Sequence, residues 1–286
     1  MQDPPNLTDA KALAAHRARA TRAGVAEFLH VEAVTELQER LVEVNRQFTS
    51  IAIVTGHPDL WAGWFPSAKI VPDTANLDLE AAGFDLVIHA MALHWADDPV
   101  GQLVQCRYAL KPDGLCLAVF FGGQTLRELR AALAEAETAE TGGLSPRIAP
   151  MGELRDLGGL LQRAGFALPV ADVSPRQTEY ATALHLMHDL RAMGETNALA
   201  QRRRVPMRRA MLLRACDIYA RSFSGDNGRV RATYELVFLT GWAPSDTQQQ
   251  PLRPGSASSR LADALGTVEY DRDLNPVKDP TERKDP

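Results

Sequence analysis

The chain has 286 residues, 45% hydrophobic and 23% charged, with a formal net charge of -5. That is enough apolar matter for one large domain or two small ones, and it excludes wholesale disorder. No apolar run approaches the ~18 residues of a membrane span, the opening residues show no secretory-signal pattern, and the net charge argues against nucleic acid as a general partner.

Residues 8–24 read as a helix, with Thr8 and Asp9 as caps and Gly24 as its stop. Its His16, Arg17, Arg19 and Arg22 predict a solvated basic face, with a docking arm as the alternative. Residues 25–47 form a second helix, because Val25, Leu29, Val34, Leu37, Leu41 and Val44 recur at helical spacing. Ile51 to Val54 is a short apolar run before the turn Thr55-Gly56-His57-Pro58, the pattern of a buried parallel strand. A short helix is expected at 59–65, a strand at Lys69-Ile70-Val71 and a third strand at Phe84 to Ala90.

Pro99 opens a helix over about 99–110, with Asp97 and Asp98 as caps. Lys111-Pro112-Asp113-Gly114 is a turn in which Gly114 is expected to supply a positive φ, and Leu115 to Phe121 is a buried strand. Helices follow at 124–140, 151–164, 181–193 and about 207–222, and residues 232–242 are expected as an antiparallel edge strand. Alternating strands and helices predict an α/β fold with a mostly parallel sheet. Residues 244–286 turn polar and proline-rich and read as a flexible tail with a helical turn at Leu261–Leu265. The expected division is an N-terminal helical arm (1–24), a main domain (25–243) with a helical cap at roughly 124–222, and the tail (244–286). Cys106, Cys116 and Cys216 form neither a CxxC pair nor a disulfide framework, which suits a reducing, cytoplasmic setting.

Phe84-Asp85-Leu86-Val87-Ile88, Leu93-His94-Trp95, Leu110-Lys111-Pro112-Asp113-Gly114 and Phe121-Gly122-Gly123 together resemble the second half of a class I S-adenosylmethionine-dependent methyltransferase domain. Further strings narrow the resemblance: Gly122 to Arg130, Gly142 to Ile148, Asp156-Leu157-Gly158, Arg163 to Phe166, Met193-Gly194-Glu195-Thr196-Asn197, Ala232-Thr233-Tyr234 and Arg253 to Ala257. These are similar to bacterial relatives of a mitochondrial complex I assembly factor, and more distantly to the malonyl-carrier-protein O-methyltransferase of biotin synthesis. The resemblance implies a Rossmann-like sheet, S-adenosylmethionine as the family cofactor, and a protein client in an early quinone-module intermediate. The assembly factor itself is described as an arginine hydroxylase of an iron–sulfur subunit. Peripheral membrane association is compatible with that role.

The resemblance also sets a pattern that this chain departs from. At the end of the first strand the family carries an acidic residue and a Gly-x-Gly turn, which lets backbone approach the cofactor. Here the acidic place is Ile53, one glycine remains at Gly56, and Pro58 fixes φ and removes an N–H. Gly56 and Asp85 are 29 residues apart, whereas each βα step needs on the order of 25 residues, so about one βα unit is absent. Lys69–Val71 stands for either the second or the third family strand. Asp73 then matches a ribose-binding or adenine-side acid, or it caps a turn with Pro72 and Asn76. These departures predict weakened or lost cofactor binding.

The residues left as cofactor-side candidates are Gly56, Asp73, His94 and Trp95. A lone histidine such as His57 reads as surface or packing. Gly122 and Gly123 precede a helix whose exposed N–H groups suit an anion or substrate carboxylate, with Thr125 as a simple N-cap in the alternative. Glu128 and Arg130 match family positions for gripping a substrate or partner, against solvated helix charge. Arg202, Arg203, Arg204, Arg208, Arg209 and Arg214 form a basic stretch for an acidic partner surface, or simply exposed helix charge. No metal site is expected: His185 and His188 have only Asp189 nearby. Two functions follow, a client-binding member with a degenerate cofactor site and an active methyltransferase or arginine hydroxylase.

Overall fold

The computed structural model describes residues 6–248 and 267–268. The chain divides into two units, Met1–Asp246 and Thr247–Pro286, and every helix and strand described lies in the first. The turn expected at 261–265, with most of the expected tail, lies outside the described residues.

Two helices lead into the sheet, α1 (Ala10–Ala23) and α2 (Phe28–Val44). Asp9 caps α1 by accepting from Ala12 N–H, and Gly24 ends it at φ 89°. There follow β1 (Ile51–Thr55), α3 (Pro58–Trp64), β2 (Lys69–Val71), β3 (Phe84–Ala90), α4 (Pro99–Ala109) and β4 (Leu110–Phe121). Then come α5 (Arg127–Thr141), α6 (Leu154–Arg163), β5 (Ala167–Tyr180), α7 (Ala183–Ala192), α8 (Arg209–Phe223) and β6 (Val230–Trp242). The strand order is β2-β1-β3-β4-β6-β5. The first four strands run parallel, and β6 and β5 join antiparallel. One helix and one strand separate β1 from β3, the shortened interval expected from the residue count. β2 pairs directly with β1, so it takes the place beside the first strand.

The sheet separates two apolar layers, because successive strand side chains point to opposite faces. Ile53, Leu86 and Ile88 pack with Leu29 and Leu37 of α2 and Ala132 of α5. Ala52, Val54 and Val87 pack with Leu103 of α4 and Leu161 of α6. Such strands, covered on both faces, read as continuous apolar runs. No helix among the described residues is long and apolar enough to cross a membrane.

Four expectations are corrected. β6 is an interior strand, and the edge is β5, inside the stretch expected as an all-helical cap. β5 alternates half-buried and exposed positions and carries Pro169 and Pro175, so it lacks an apolar run; proline is at home on an edge. Its polar side chains are tied to α2, where Arg40 clamps Asp172 and Arg176 meets Glu32 and Glu36. At the Lys111–Gly114 bend the positive φ belongs to Asp113 (60°), not Gly114. A Cβ at Gly114 would meet the Lys111 carbonyl at 2.9 Å, so that glycine answers to space. Asp98 caps α4 through Gly101 N–H, but Asp97 instead accepts from Leu7 and Thr8 N–H. Finally, α1 does not present all its basic residues to solvent, since Arg17 is 9% exposed.

Candidate functional site

Two cavities open at the carboxyl edge of the parallel strands, where open α/β sheets bind ligands. Trp95, in the turn after β3, lines both. Met91 takes φ 51° and donates its N–H to the Val119 carbonyl (2.7 Å), which turns the chain across the sheet edge into Leu93–Trp95. His94 Nε2 (3.1 Å) and Trp95 Nε1 (2.7 Å) both donate to one carboxylate oxygen of Glu195. Glu195 arrives there because α7 ends in a left-handed Gly194 (φ 82°), and Glu195 N–H returns to the Leu190 carbonyl. Burial opposes its charge, yet His94, the Arg17 guanidinium and Trp95 hold the carboxyl down at about 2. The buried Nδ1 of His94 has no partner.

The first cavity, about 270 Å³, is mainly apolar. Phe121 and Tyr234 line it, with His94 edge-on to Phe121 at 5.1 Å. Leu129 and Leu133 of α5, Met187 and Leu190 of α7, and Met151 and Met207 supply its apolar lining. Glu195 and Arg147 are its charged lining residues. Arg147 is fixed by two bonds to Glu137 (2.6 and 2.9 Å), and that pairing holds the Glu137 carboxyl at about 2. Tyr234 OH meets Tyr180 OH at 3.2 Å, and burial pushes both phenols up, Tyr180 to about 12.

The second cavity, about 810 Å³, carries more polar side chains than the first and lies between α1 and the ends of β1 and β2. Gly56, Asp73, Thr74, Trp95 and Gln102 line it together with Arg17. Arg17 Nη1 reaches both Asp73 oxygens, at 2.8 and 2.9 Å, and each side chain is 11% exposed. A Cβ added at Gly56 would collide with the Arg17 guanidinium. Beside it, Trp61 Nε1 donates to His30 Nδ1 (3.2 Å), and the His30 and His57 rings meet at 4.9 Å. Burial first, then the neighbouring His57, pushes His30 down to about 3; burial and then Arg17 lower His57.

The structure brings the four cofactor-side candidates to this edge. Gly56 and Asp73 belong to the polar cavity, His94 to the apolar one, and Trp95 to both. Asp73 pairs with Arg17, so its carboxylate is not simply a turn cap. His57 is buried at 4% exposure.

The Gly122–Thr125 turn differs from the expectation. Its N–H groups are taken within the chain: Gly122 N by Glu235 O, Gly123 N by Gly152 O, Gln124 N by the Glu235 carboxylate and Thr125 N by Gly122 O. No anion site remains there. The N-cap of α5 is Leu126, and Thr125 ties the turn to β6 by donating to Gly122 O and accepting from Glu235 N–H. Glu128 is buried and accepts from Thr233 N–H and hydroxyl, and Arg130 donates to the Ala149 carbonyl. Both residues fasten α5 to its neighbours. Arg202 and Arg204 pair with Asp9, and Arg214 with Glu140, so half the basic stretch has acidic partners inside the chain. No group of three or more metal-ligating side chains occurs among the described residues. Arg17, Glu195 and Tyr234 escaped the sequence reading as site residues. Arg17 lay in a run read as solvated, and the other two lay in strings marked only as family-like.

Comparison with known proteins agrees with this architecture. The Methyltransf_11 model, a methyltransferase domain, matches residues 9–118. The chain is 36% identical over 209 residues to the arginine-hydroxylase NDUFAF5, mitochondrial, of Danio rerio, across 72% of this chain and 65% of that protein. It is 34% identical over 201 residues to the malonyl-[acyl-carrier protein] O-methyltransferase of Methylovorus sp. (strain MP688), across 70% and 62%. It thus spans less than two thirds of either relative. Among solved structures, the YcgJ protein of Bacillus subtilis superposes at TM-score 0.43 and 11% identity, covering 68% of this chain and 92% of that one. The matched domain model and these relatives support a class I methyltransferase-type domain in this chain. Among these relatives, the arginine-hydroxylases share more of its sequence than the carrier-protein methyltransferases do.

Proposed function

We propose that this chain binds a protein client in the assembly of the quinone module of respiratory complex I, and that its cofactor site is degenerate. One observation supports the reading: the apolar cavity is open, while in the adjoining cleft the Arg17 guanidinium lies against Gly56 and pairs with Asp73. The apolar cavity suits an aliphatic stem, and the ionised Glu195 in its lining favours a cationic or hydrogen-bond-donating tip. A basic or mixed side chain of a client protein has that shape.

The cleft does not fit S-adenosylmethionine as it stands. Ile53, where the family has an acid, is fully buried in the core, Pro58 offers no N–H, and the Arg17 guanidinium already lies on the face of Gly56. The test is co-purification of the full chain with quinone-module subunits. Enrichment of those subunits that is lost in Met187→Trp, a variant that fills the cavity, is the expected result. Equal recovery with both proteins contradicts the proposal.

A second reading keeps the chain an enzyme, a methyltransferase or an arginine hydroxylase like its relatives. It is favoured by Asp73, which stands at the end of the strand beside β1, near the surviving Gly56. Mass spectrometry of the client decides this, after incubation with the purified chain and either S-adenosylmethionine or dioxygen with a two-electron reductant. A mass gain of one methyl group or one oxygen on the client establishes the enzyme, and an unmodified client argues against it.

A further inference from the structure

We infer that the polar cleft contains a slot for a compact organic cation and that Arg17 of α1 occupies it from within the chain. The inference rests on the degenerate-cleft reading and deepens it by naming what fills the cleft. Three independent features define the slot.

The first is shape. Arg17 runs between two residues that lack a Cβ. One added at Gly56 would strike the guanidinium, and one added at Gly194 would sit 3.1 Å from Arg17 Cα and 3.2 Å from its Cγ. Both glycines are therefore fitted to this side chain along its length.

The second is charge. Asp73 receives Arg17 Nη1 with both oxygens, and the same guanidinium helps to hold Glu195 ionised from beyond hydrogen-bond range. The Arg17–Asp73 pair lies in a place largely closed to water, where such interactions are strongest. The Nε and Nη2 of Arg17 are buried without a partner, so the guanidinium is held by its charge and outline and not by a full set of bonds.

The third is anchorage. The segment that delivers Arg17 is fastened along its length. Thr8 bridges Leu199, Asp97 accepts from Leu7 and Thr8, Asp9 pairs with Arg202, and His16 meets the Thr196 carbonyl. Thr196 follows Glu195 directly, so α1 ties the occupied slot to the wall of the apolar cavity.

Removing the internal cation should leave a slot that an external one restores. The experiment is thermal unfolding of the full-length wild type and Arg17→Ala, each with and without millimolar ethylguanidinium, with ammonium chloride as the ionic-strength control. Arg17→Ala should melt several degrees below the wild type, and ethylguanidinium should recover part of that loss. Ammonium should not, and neither additive should raise the wild type. Unchanged melting of Arg17→Ala overturns the inference, as does an ethylguanidinium response equal in both proteins or absent from the variant. If Arg17→Ala does not fold, Arg17→Met keeps the stem and carries the same test, and wild-type melting of that variant is again contradictory. No client is present in these measurements, so failure here leaves client binding standing, and failed client capture leaves the slot standing.

Discussion

The two cavities at the sheet edge share Trp95, yet they are built on opposite terms. The apolar one, on the β4 side, is walled by leucines and methionines of α5 and α7 and remains open. The polar one, on the β1 and β2 side, holds a salt bridge made by the chain itself. Beside it, Pro58 starts a helix that drives Trp61 into the core against His30. The contrast teaches that one sheet edge can carry an open apolar cavity beside a larger cleft crossed by an ion pair of the chain's own. On the β1 and β2 side a proline-led helix packs Trp61 into the core, and Arg17 lies across a cleft of about 810 Å³.

The comparison breaks most severely at Trp61, which is fully buried. Trp61→Ala should cost about 3–5 kcal/mol, read as a lower midpoint in urea unfolding. A loss under ~1 kcal/mol would show that this side is not a packed core. Next comes the salt bridge: Arg17→Ala leaves Asp73 uncompensated and should cost about 3 kcal/mol, in line with other broken buried pairs.

Acid sharpens the contrast at a smaller scale. His30, His57 and His89 are held below their ordinary range, chiefly by burial. An unfolded histidine takes a proton near pH ~6.5, but His30 in the fold does so only at about 3. Protons therefore favour the unfolded chain, so stability is full above that range and falls as pH drops below it. His30 alone should account for a loss on the order of 2 kcal/mol by pH ~5. Below pH ~4.5 the loss should steepen as Glu195 and Glu137, held at about 2, lose their advantage. Urea titrations at stepped pH measure this, and His30→Phe should flatten the upper part of the curve.

The smallest stability effect belongs to the open side. Met187→Trp fills existing space at a half-buried position, so stability should change by less than ~1.5 kcal/mol while client capture falls about tenfold or more. A large loss of stability would mean that the cavity is not preformed.

Much of this was legible in the sequence, for reasons that differ by element. β1, β3 and β4 are covered on both faces and announce themselves as apolar runs. The caps at Asp9 and Asp98 follow from local rules that need no tertiary context. β5 stayed hidden because an edge strand with exposed alternate positions and two prolines needs no apolar run. Arg17 stayed hidden because burial of a cation is decided by Asp73 and Glu195, distant in sequence, and by glycines at 56 and 194. The Gly122–Thr125 turn misled for a related reason: its N–H groups find Glu235, more than a hundred residues on. Local pattern placed the elements, and contacts across the chain decided which candidate residues face a cavity.

The most direct test of the proposed degenerate cofactor site is isothermal titration of the full-length wild type with S-adenosylmethionine and with its demethylated product. The account predicts no detectable heat up to millimolar ligand. Binding with a micromolar Kd, about -8 kcal/mol, would contradict it and return the cleft around Gly56 to service as a cofactor site.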